Sequence, residues 1–135
     1  MKGESHFQQH ILIVDDEETI LELLATFFEK KGYKVTCTST GEEALTVLES
    51  SRTLERGPDT VDIMVLDLFL NEEDGLEVLS DAKRIRPGLP VVILTGMGFD
   101  DEILKEAQSR GARGYVSKTL PMNQLLMEVH RALDY

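Results

Sequence analysis

Three carboxylates follow two short apolar runs of the sequence. Asp15 and Asp16 come directly after the run at residues 11–14, and Asp67 comes directly after the run at residues 63–66. On neighbouring strands these carboxylates would converge and repel one another, which favours a compensating cation. Oxygen ligands in a compact, partly hydrated site are typical of Mg²⁺. The sequence therefore predicts a magnesium site formed by Asp15, Asp16 and Asp67.

A hydroxyl group and an ammonium group follow two further apolar runs. Thr95 comes directly after the run at residues 91–94, and Lys118 lies two residues after Val116. A cation, an ammonium and a hydroxyl around one carboxylate are the groups that phosphoryl transfer to that carboxylate needs. Taken singly, Thr95 would be an ordinary strand-end hydroxyl and Lys118 a solvated loop lysine, so the prediction depends on the whole set.

The elements that position these groups alternate between strand-like and helix-like patterns. Continuous apolar runs predict strands buried on both faces, and apolar residues spaced three and four apart predict the helices between them. The predicted strands are residues 11–14, 33–37, 63–66, 91–94 and 112–116, each followed by a helix, with a polar loop at 50–60.

Five strand–helix repeats predict an α/β fold with a parallel sheet between two helical layers. At this chain length we expect the flavodoxin-like, doubly wound, five-stranded sheet of order 2-1-3-4-5, with five helices in a three-layer α/β/α arrangement. Strands one and three are then adjacent, and their carboxyl ends form the ligand-binding edge. We expect one domain at residues 10–135 after an N-terminal tail at 1–9, and we assign His6 and His10 to a flexible tail.

Composition limits the classes of partner. Asp and Glu number 25 against 14 Lys and Arg, for a net charge of -11, so we expect no direct binding to nucleic acid. No apolar run approaches the ~20 residues of a membrane span, and the first ten residues lack the apolar segment of a signal peptide. We therefore expect a cytoplasmic protein without membrane association. The single cysteine, Cys37, is interpreted as a small core residue.

Four segments in order resemble the receiver domain of two-component response regulators. They are ILIVDDEE, IMVLDLFLNEEDG, VVILTG and GARGYVSK, and the resemblance extends over nearly the whole chain. It implies that Asp67 accepts a phosphoryl group from a sensor histidine kinase or a phosphotransfer domain in a Mg²⁺-dependent reaction. The domain would then switch conformation in phosphorelay signal transduction. It would be a signalling domain that catalyses its own phosphorylation and slow autodephosphorylation, not an enzyme acting on a separate substrate.

The resemblance also assigns the metal ligands. It implies that Asp16 and Asp67 bind Mg²⁺ directly, that the Phe69 backbone carbonyl is a further ligand, and that Asp15 acts mainly through water. Asp74-Gly75 matches the turn that usually ends the active-site loop.

Three residues on or just after the later strands have implied roles in holding the phosphoryl group and in switching. Thr95 and Lys118 would hold the phosphoryl oxygens, and Thr95 and Tyr115 would be the switch residues. The partner of the switched state would be a second copy in a phosphorylation-dependent dimer or a downstream protein target.

In the family, two variable positions flank the approach of water to the phosphorus; here they are Phe69 and Met97. Both are large and apolar, which predicts a long-lived phosphoryl group.

Three positions depart from the family's usual residues. Asn71 and Thr119 each replace a proline, and Gly96 replaces the alanine that often follows the switch threonine. The bond before the second proline is typically cis in the family. A cis bond before a non-proline residue costs about 3–4 kcal/mol, so we predict a trans Lys118–Thr119 bond in a rearranged loop.

Three alternative functions compete with this interpretation. A phosphohydrolase of the haloacid dehalogenase type uses a similar set of groups, but it needs an acid two residues after the nucleophile, where this chain has Phe69. An FMN-binding module on the same fold needs a phosphate-cradling loop after strand one, where Asp15 and Asp16 would repel a phosphate. A degenerate receiver would serve only as a binding module, although every group that phosphorylation requires is present.

Overall fold

The computed structural model describes residues 8–51, 56–96, 100–119 and 121–134, in which five strands alternate with five helices. His6 and most of the predicted tail lie outside these residues. The strands are β1 (His10–Val14), β2 (Lys34–Thr38), β3 (Ile63–Asp67), β4 (Val91–Thr95) and β5 (Gly114–Ser117). The helices are α1 (Glu18–Lys30), α2 (Gly41–Ser50), α3 (Gly75–Ile85), α4 (Asp101–Ser109) and α5 (Met122–Asp134).

The sheet is parallel throughout and has the order β2-β1-β3-β4-β5, which confirms the predicted topology. The register places Asp67 opposite Leu94 and Thr95 opposite Ser117. Because parallel strands all end at one edge of a sheet, Asp67, Thr95 and the residues after Ser117 reach the same edge.

Two apolar cores lie on opposite faces of the sheet. One contains residues of α2, α3 and α4, and the other contains residues of α1 and α5. The three central strands are buried at every position, which explains why β1, β3 and β4 consist of continuous apolar runs. Among the described residues, no helix has both the length and the apolar character that a membrane crossing requires.

The strands β2 and β5 begin later than predicted because backbone hydrogen bonds close the preceding helices. The N–H of Tyr33 donates to the carbonyl of Phe28, so β2 begins one residue later than predicted. The N–H of Ala112 donates to the carbonyl of Ala107, and β5 begins only at Gly114. Chain reversals after helices of this kind use backbone groups that the side-chain pattern does not reveal.

Cys37 is exposed, so its interpretation as a core residue is wrong. It lies on β2, which forms one edge of the sheet and is only partly covered by helices. Burial of part of the side chain raises the pKa of the thiol, and the negative charges of Glu29 and Glu18 add to this effect.

His10 is buried in β1, so its assignment to a flexible tail is also wrong. Its Nδ1 lies 3.2 Å from the carbonyl oxygen of Thr60, and its Nε2 lies 2.7 Å from Oγ1 of Thr36. A neutral imidazole satisfies both contacts, with Nδ1–H as the donor and Nε2 as the acceptor.

We expect His10 to make the protein less stable in mild acid. Burial lowers the pKa of His10 and Lys34 lowers it further, while the Thr60 carbonyl and Asp62 oppose the shift. The unfolded chain therefore takes up a proton near the ordinary pKa of 6.5 that the folded protein does not bind. The free energy of unfolding consequently falls as the pH drops below that value, until the folded-state pKa is passed.

The measurement is urea unfolding of the wild type and His10→Gln at about pH 7.5 and about pH 5. The wild type should lose more free energy of unfolding between the two pH values than the variant loses. An equal loss in both proteins would contradict the assignment.

Candidate functional site

The three predicted carboxylates meet at the carboxyl edge of the sheet. Asp15 and Asp16 follow β1 directly, and Asp67 is the last residue of β3. One oxygen from each lies within 4.8 Å of the others. Asp15 and Asp67 are buried, whereas Asp16 is partly exposed. The convergence inferred from the strand order is therefore confirmed.

A backbone N–H group holds one oxygen of each carboxylate. The bonds run from Glu17 to Asp15, from Phe69 to Asp67 and from Asn71 to Asp16, each with an N···O distance of 2.9 Å. Fixing one oxygen of a carboxylate also orients the other. The chain thus aims three carboxylates at one small volume before any ligand arrives.

Lys118 closes the other side of this volume. Its Nζ lies 3.0 Å from Oδ2 of Asp67 and 2.9 Å from Oδ2 of Asp15. It also lies 2.5 Å from Oε1 of Glu17, an exposed residue whose role the sequence interpretation missed. Burial alone would lower the pKa of Lys118, but the carboxylates of Glu17, Asp15 and Asp67 outweigh it and raise the pKa. The lysine therefore remains an ammonium at neutral pH.

Hydrogen bonds position Lys118 in the loop after β5, where Thr119 replaces the proline usual in the family. The backbone N–H of Lys118 donates to the carbonyl of Thr95 at 2.8 Å. On either side, the Ser117 and Thr119 hydroxyls lie 2.7 Å apart, and the Thr119 N–H donates to the Ser117 hydroxyl at 3.1 Å. The described residues contain no cis peptide bond, which confirms the prediction of a trans Lys118–Thr119 bond.

The carboxylate trio fits a divalent cation. Oδ2 of Asp15 is buried, and its one described polar contact is the 2.9 Å ion pair with Lys118. Burial raises the pKa of Asp15 and the charge of Asp67 adds to it, although the Glu17 N–H and Lys118 oppose the shift. An oxygen-only site with this surplus of negative charge suits Mg²⁺.

The structure describes three of the four remaining predicted residues. Thr95, the last residue of β4, is buried. Tyr115 is partly buried and packs against the core under α2, α3 and α4. The Phe69 side chain is 46% exposed. Met97, the second residue predicted to flank the approach of water, lies outside the described residues.

The loop between β3 and α3 is anchored at several points. Asp74 caps α3 by accepting a bond from the Leu76 N–H. The carboxylate of Glu73 accepts bonds from the N–H groups of Gly41 and Glu42, at 2.7 and 3.0 Å, at the start of α2. Glu73 is therefore a structural anchor of this loop and not a freely solvated carboxylate.

Comparison with known proteins gives a family model and individual relatives. The model of the response regulator receiver domain matches residues 11–130. The response regulator SaeR of Staphylococcus aureus is 34% identical over 124 residues, which are 92% of this chain and 50% of SaeR. The chain thus spans about half the length of the curated relatives it matches.

Two solved structures superpose on nearly the whole of this chain. A CheY-like response regulator receiver domain protein from Methanospirillum hungatei superposes with a TM-score of 0.81 at 28% identity, over 94% of each chain. NtrX from Brucella abortus, solved in complex with ADP, superposes with a TM-score of 0.80 at 30% identity. That match covers 94% of this chain and 27% of NtrX.

Proposed function

Because this chain belongs to the response regulator receiver domain family, we propose that it accepts a phosphoryl group on Asp67 in a Mg²⁺-dependent reaction. The observation that carries the proposal is the position of Asp67, whose Oδ2 lies 3.0 Å from the Lys118 ammonium beside the carboxylates of Asp15 and Asp16. The test is incorporation of one phosphoryl group from acetyl phosphate, which Asp67→Asn should abolish.

Each residue of the site has a part in the transfer. An oxygen of Asp67 attacks the phosphorus, and the bond between phosphorus and the donor breaks. Asp16, Asp67 and the Phe69 carbonyl would hold Mg²⁺, with Asp15 acting through water, and the bound ion supplies positive charge to the phosphoryl oxygens. Lys118 supplies a further positive charge, because its pKa keeps it protonated.

The response to phosphorylation would pass through β4 and β5. Thr95 would donate its hydroxyl to a phosphoryl oxygen, and Tyr115, which packs under α2, α3 and α4, would move with it. The new surface would bind a second phosphorylated copy or a downstream protein target. The phosphoryl donor would be a cytoplasmic sensor histidine kinase or a phosphotransfer domain.

The acid that a phosphohydrolase of the haloacid dehalogenase type needs is absent from this chain. The group two residues after Asp67 is the apolar side chain of Phe69, which cannot protonate a leaving group. A degenerate receiver would not bind fluoroberyllate at Asp67. Fluoroberyllate binding to the wild type would therefore separate a working acceptor from a degenerate one.

We expect phosphorylation to require Mg²⁺ and Asp16. Chelation with EDTA should abolish labelling by acetyl phosphate, and Asp16→Ala should remove most of the response to added magnesium because the cation loses a direct ligand. Thermal unfolding gives a second measurement, since a ligand that binds only the folded state raises its stability. The matched control is Asp59→Ala, which removes a carboxylate from a side chain that is 88% exposed, and it should behave as the wild type. Unchanged labelling in EDTA would contradict this prediction.

We expect the phosphoryl group to be long-lived. Hydrolysis needs a water in line with the phosphorus, and neither Phe69 nor Met97 can orient one. Phe69→Asn and Met97→Glu should therefore lose the phosphoryl group faster than the wild type, by about tenfold or more for a positioned water. Met127→Asn, which replaces an apolar side chain that is 65% exposed on α5, is the control. Equal or slower loss in the first two variants would show that their side chains do not shield the phosphorus.

A further inference from the structure

We propose, within the function proposed above, that the backbone N–H of Asn71 is the positioning group for Asp16. The Asn71 nitrogen lies 2.9 Å from Oδ2 of Asp16, 55 residues away in the sequence. The bond therefore connects the loop after β3 with the end of β1. It makes the orientation of one metal-binding carboxylate depend on the conformation of a different loop.

The other two carboxylates do not need such a connection. Asp15 and Asp67 each accept a bond from the N–H two residues further along the chain, at Glu17 and Phe69. Bonds of this local type form wherever an aspartate opens a turn. Of the three carboxylates, only Asp16 has its backbone donor in another loop. It is also the most exposed of the three, so packing restrains it least.

The loop is built to hold the Asn71 N–H in place. Directly after it, Glu72 has a φ of 61°, a left-handed conformation that turns the chain sharply. Beyond that turn, the Glu73 carboxylate is fixed to the Gly41 and Glu42 N–H groups at the start of α2. Hydrogen bonds therefore connect residues 71–73 both to the start of α2 and to Asp16.

The residue type at position 71 decides whether the bond exists. Any residue except proline has a backbone N–H, and proline is the usual residue here in the family. Asn71→Pro therefore removes the donor while introducing a residue that loops of this kind accommodate. Asn71→Ala removes the side chain and keeps the N–H, and is the matched control.

Magnesium affinity of the full chain, measured by calorimetric titration without any phosphoryl donor, tests the inference. Loss of a hydrogen bond that orients a metal ligand typically weakens binding 10–100-fold. We expect Asn71→Pro to weaken Mg²⁺ binding about tenfold and Asn71→Ala to remain within about twofold of the wild type. Equal affinity in the proline variant and the wild type would overturn the inference.

Amide hydrogen exchange gives a test that needs neither a proline variant nor a bound metal. In the metal-free wild type the Asn71 amide should be protected, and in Asp16→Ala it should exchange at least about tenfold faster. The Glu77 amide, which donates to the Asp74 carbonyl, should keep its rate in both proteins. An equal rate for Asn71 in the two proteins would overturn the inference. A wild type that shows no response to magnesium would instead contradict the proposed function, and the exchange rates would still decide the role of Asn71.

Discussion

Asp67→Asn should leave the protein folded and unable to take up a phosphoryl group. Asparagine has nearly the same shape as aspartate, and its side-chain oxygen can still accept the bond from the Phe69 N–H. Its amide, however, is not a nucleophile toward phosphorus. We expect labelling by acetyl phosphate and magnesium to fall by at least about a hundredfold, because covalent transfer loses its acceptor and not merely a supporting contact.

Intact-mass measurement shows this result directly. The wild type should gain one phosphoryl group, and Asp59→Asn, at an exposed carboxylate next to Lys34, should gain the same mass. Circular dichroism of Asp67→Asn should match that of the wild type. Labelling of Asp67→Asn to the wild-type extent would mean that another residue is the acceptor and would refute the proposed function.

The sequence was sufficient to predict the groups that lie at the ends of strands. Asp67 and Thr95 are the last residues of β3 and β4, and Asp15 follows β1 directly. In a parallel sheet the position of a strand end follows from the apolar run that precedes it. The apolar runs and the strand order therefore suffice to predict that these side chains lie at the same edge of the sheet.

The contacts made by loop residues could not be predicted in the same way. Glu17, Asn71 and Glu73 each touch a partner more than 30 residues distant, and each contact depends on the exact path of a loop. The donor at Asn71 is a backbone group that every residue but proline has, so the sequence carries almost no signal for it. For Glu17, the uninterrupted acidic run that follows β1 was the only available indication.

The burial of individual side chains was a second source of error. Cys37 stands in a strand-like run, but β2 is an edge strand, and part of it faces solvent. His10 was assigned to a tail because it precedes the apolar run, yet β1 begins with it. Both errors arise because the pattern of a single segment does not show how far the neighbouring layers extend over it.

Gly75→Ala should destabilise the protein by about 3 kcal/mol, at the upper end of the usual cost of overpacking. A Cβ at position 75 would lie 2.3 Å from the carbonyl oxygen of Leu68 and 2.5 Å from its Cα. These are backbone atoms, so no side-chain rotation can relieve the overlap. Alanine is a better helix former than glycine by up to about 1 kcal/mol, which is too little to offset the clash.

The same substitution should impair phosphorylation, because Leu68 lies in the chain between Asp67, the acceptor, and Phe69, whose N–H holds the acceptor carboxylate. Leu68 directly follows Asp67, and the next residue, Phe69, donates its N–H to the Asp67 carboxylate. Moving Leu68 away from an added methyl group therefore displaces both the acceptor and the Phe69 carbonyl. Urea unfolding and acetyl phosphate labelling measure the two effects, with Gly88→Ala as the control because a Cβ there meets no atom within 4 Å. If Gly75→Ala unfolds at the same urea concentration as Gly88→Ala, α3 does not approach Leu68 as closely as described, and the tight turn at Asp74-Gly75 is not what holds the acceptor loop.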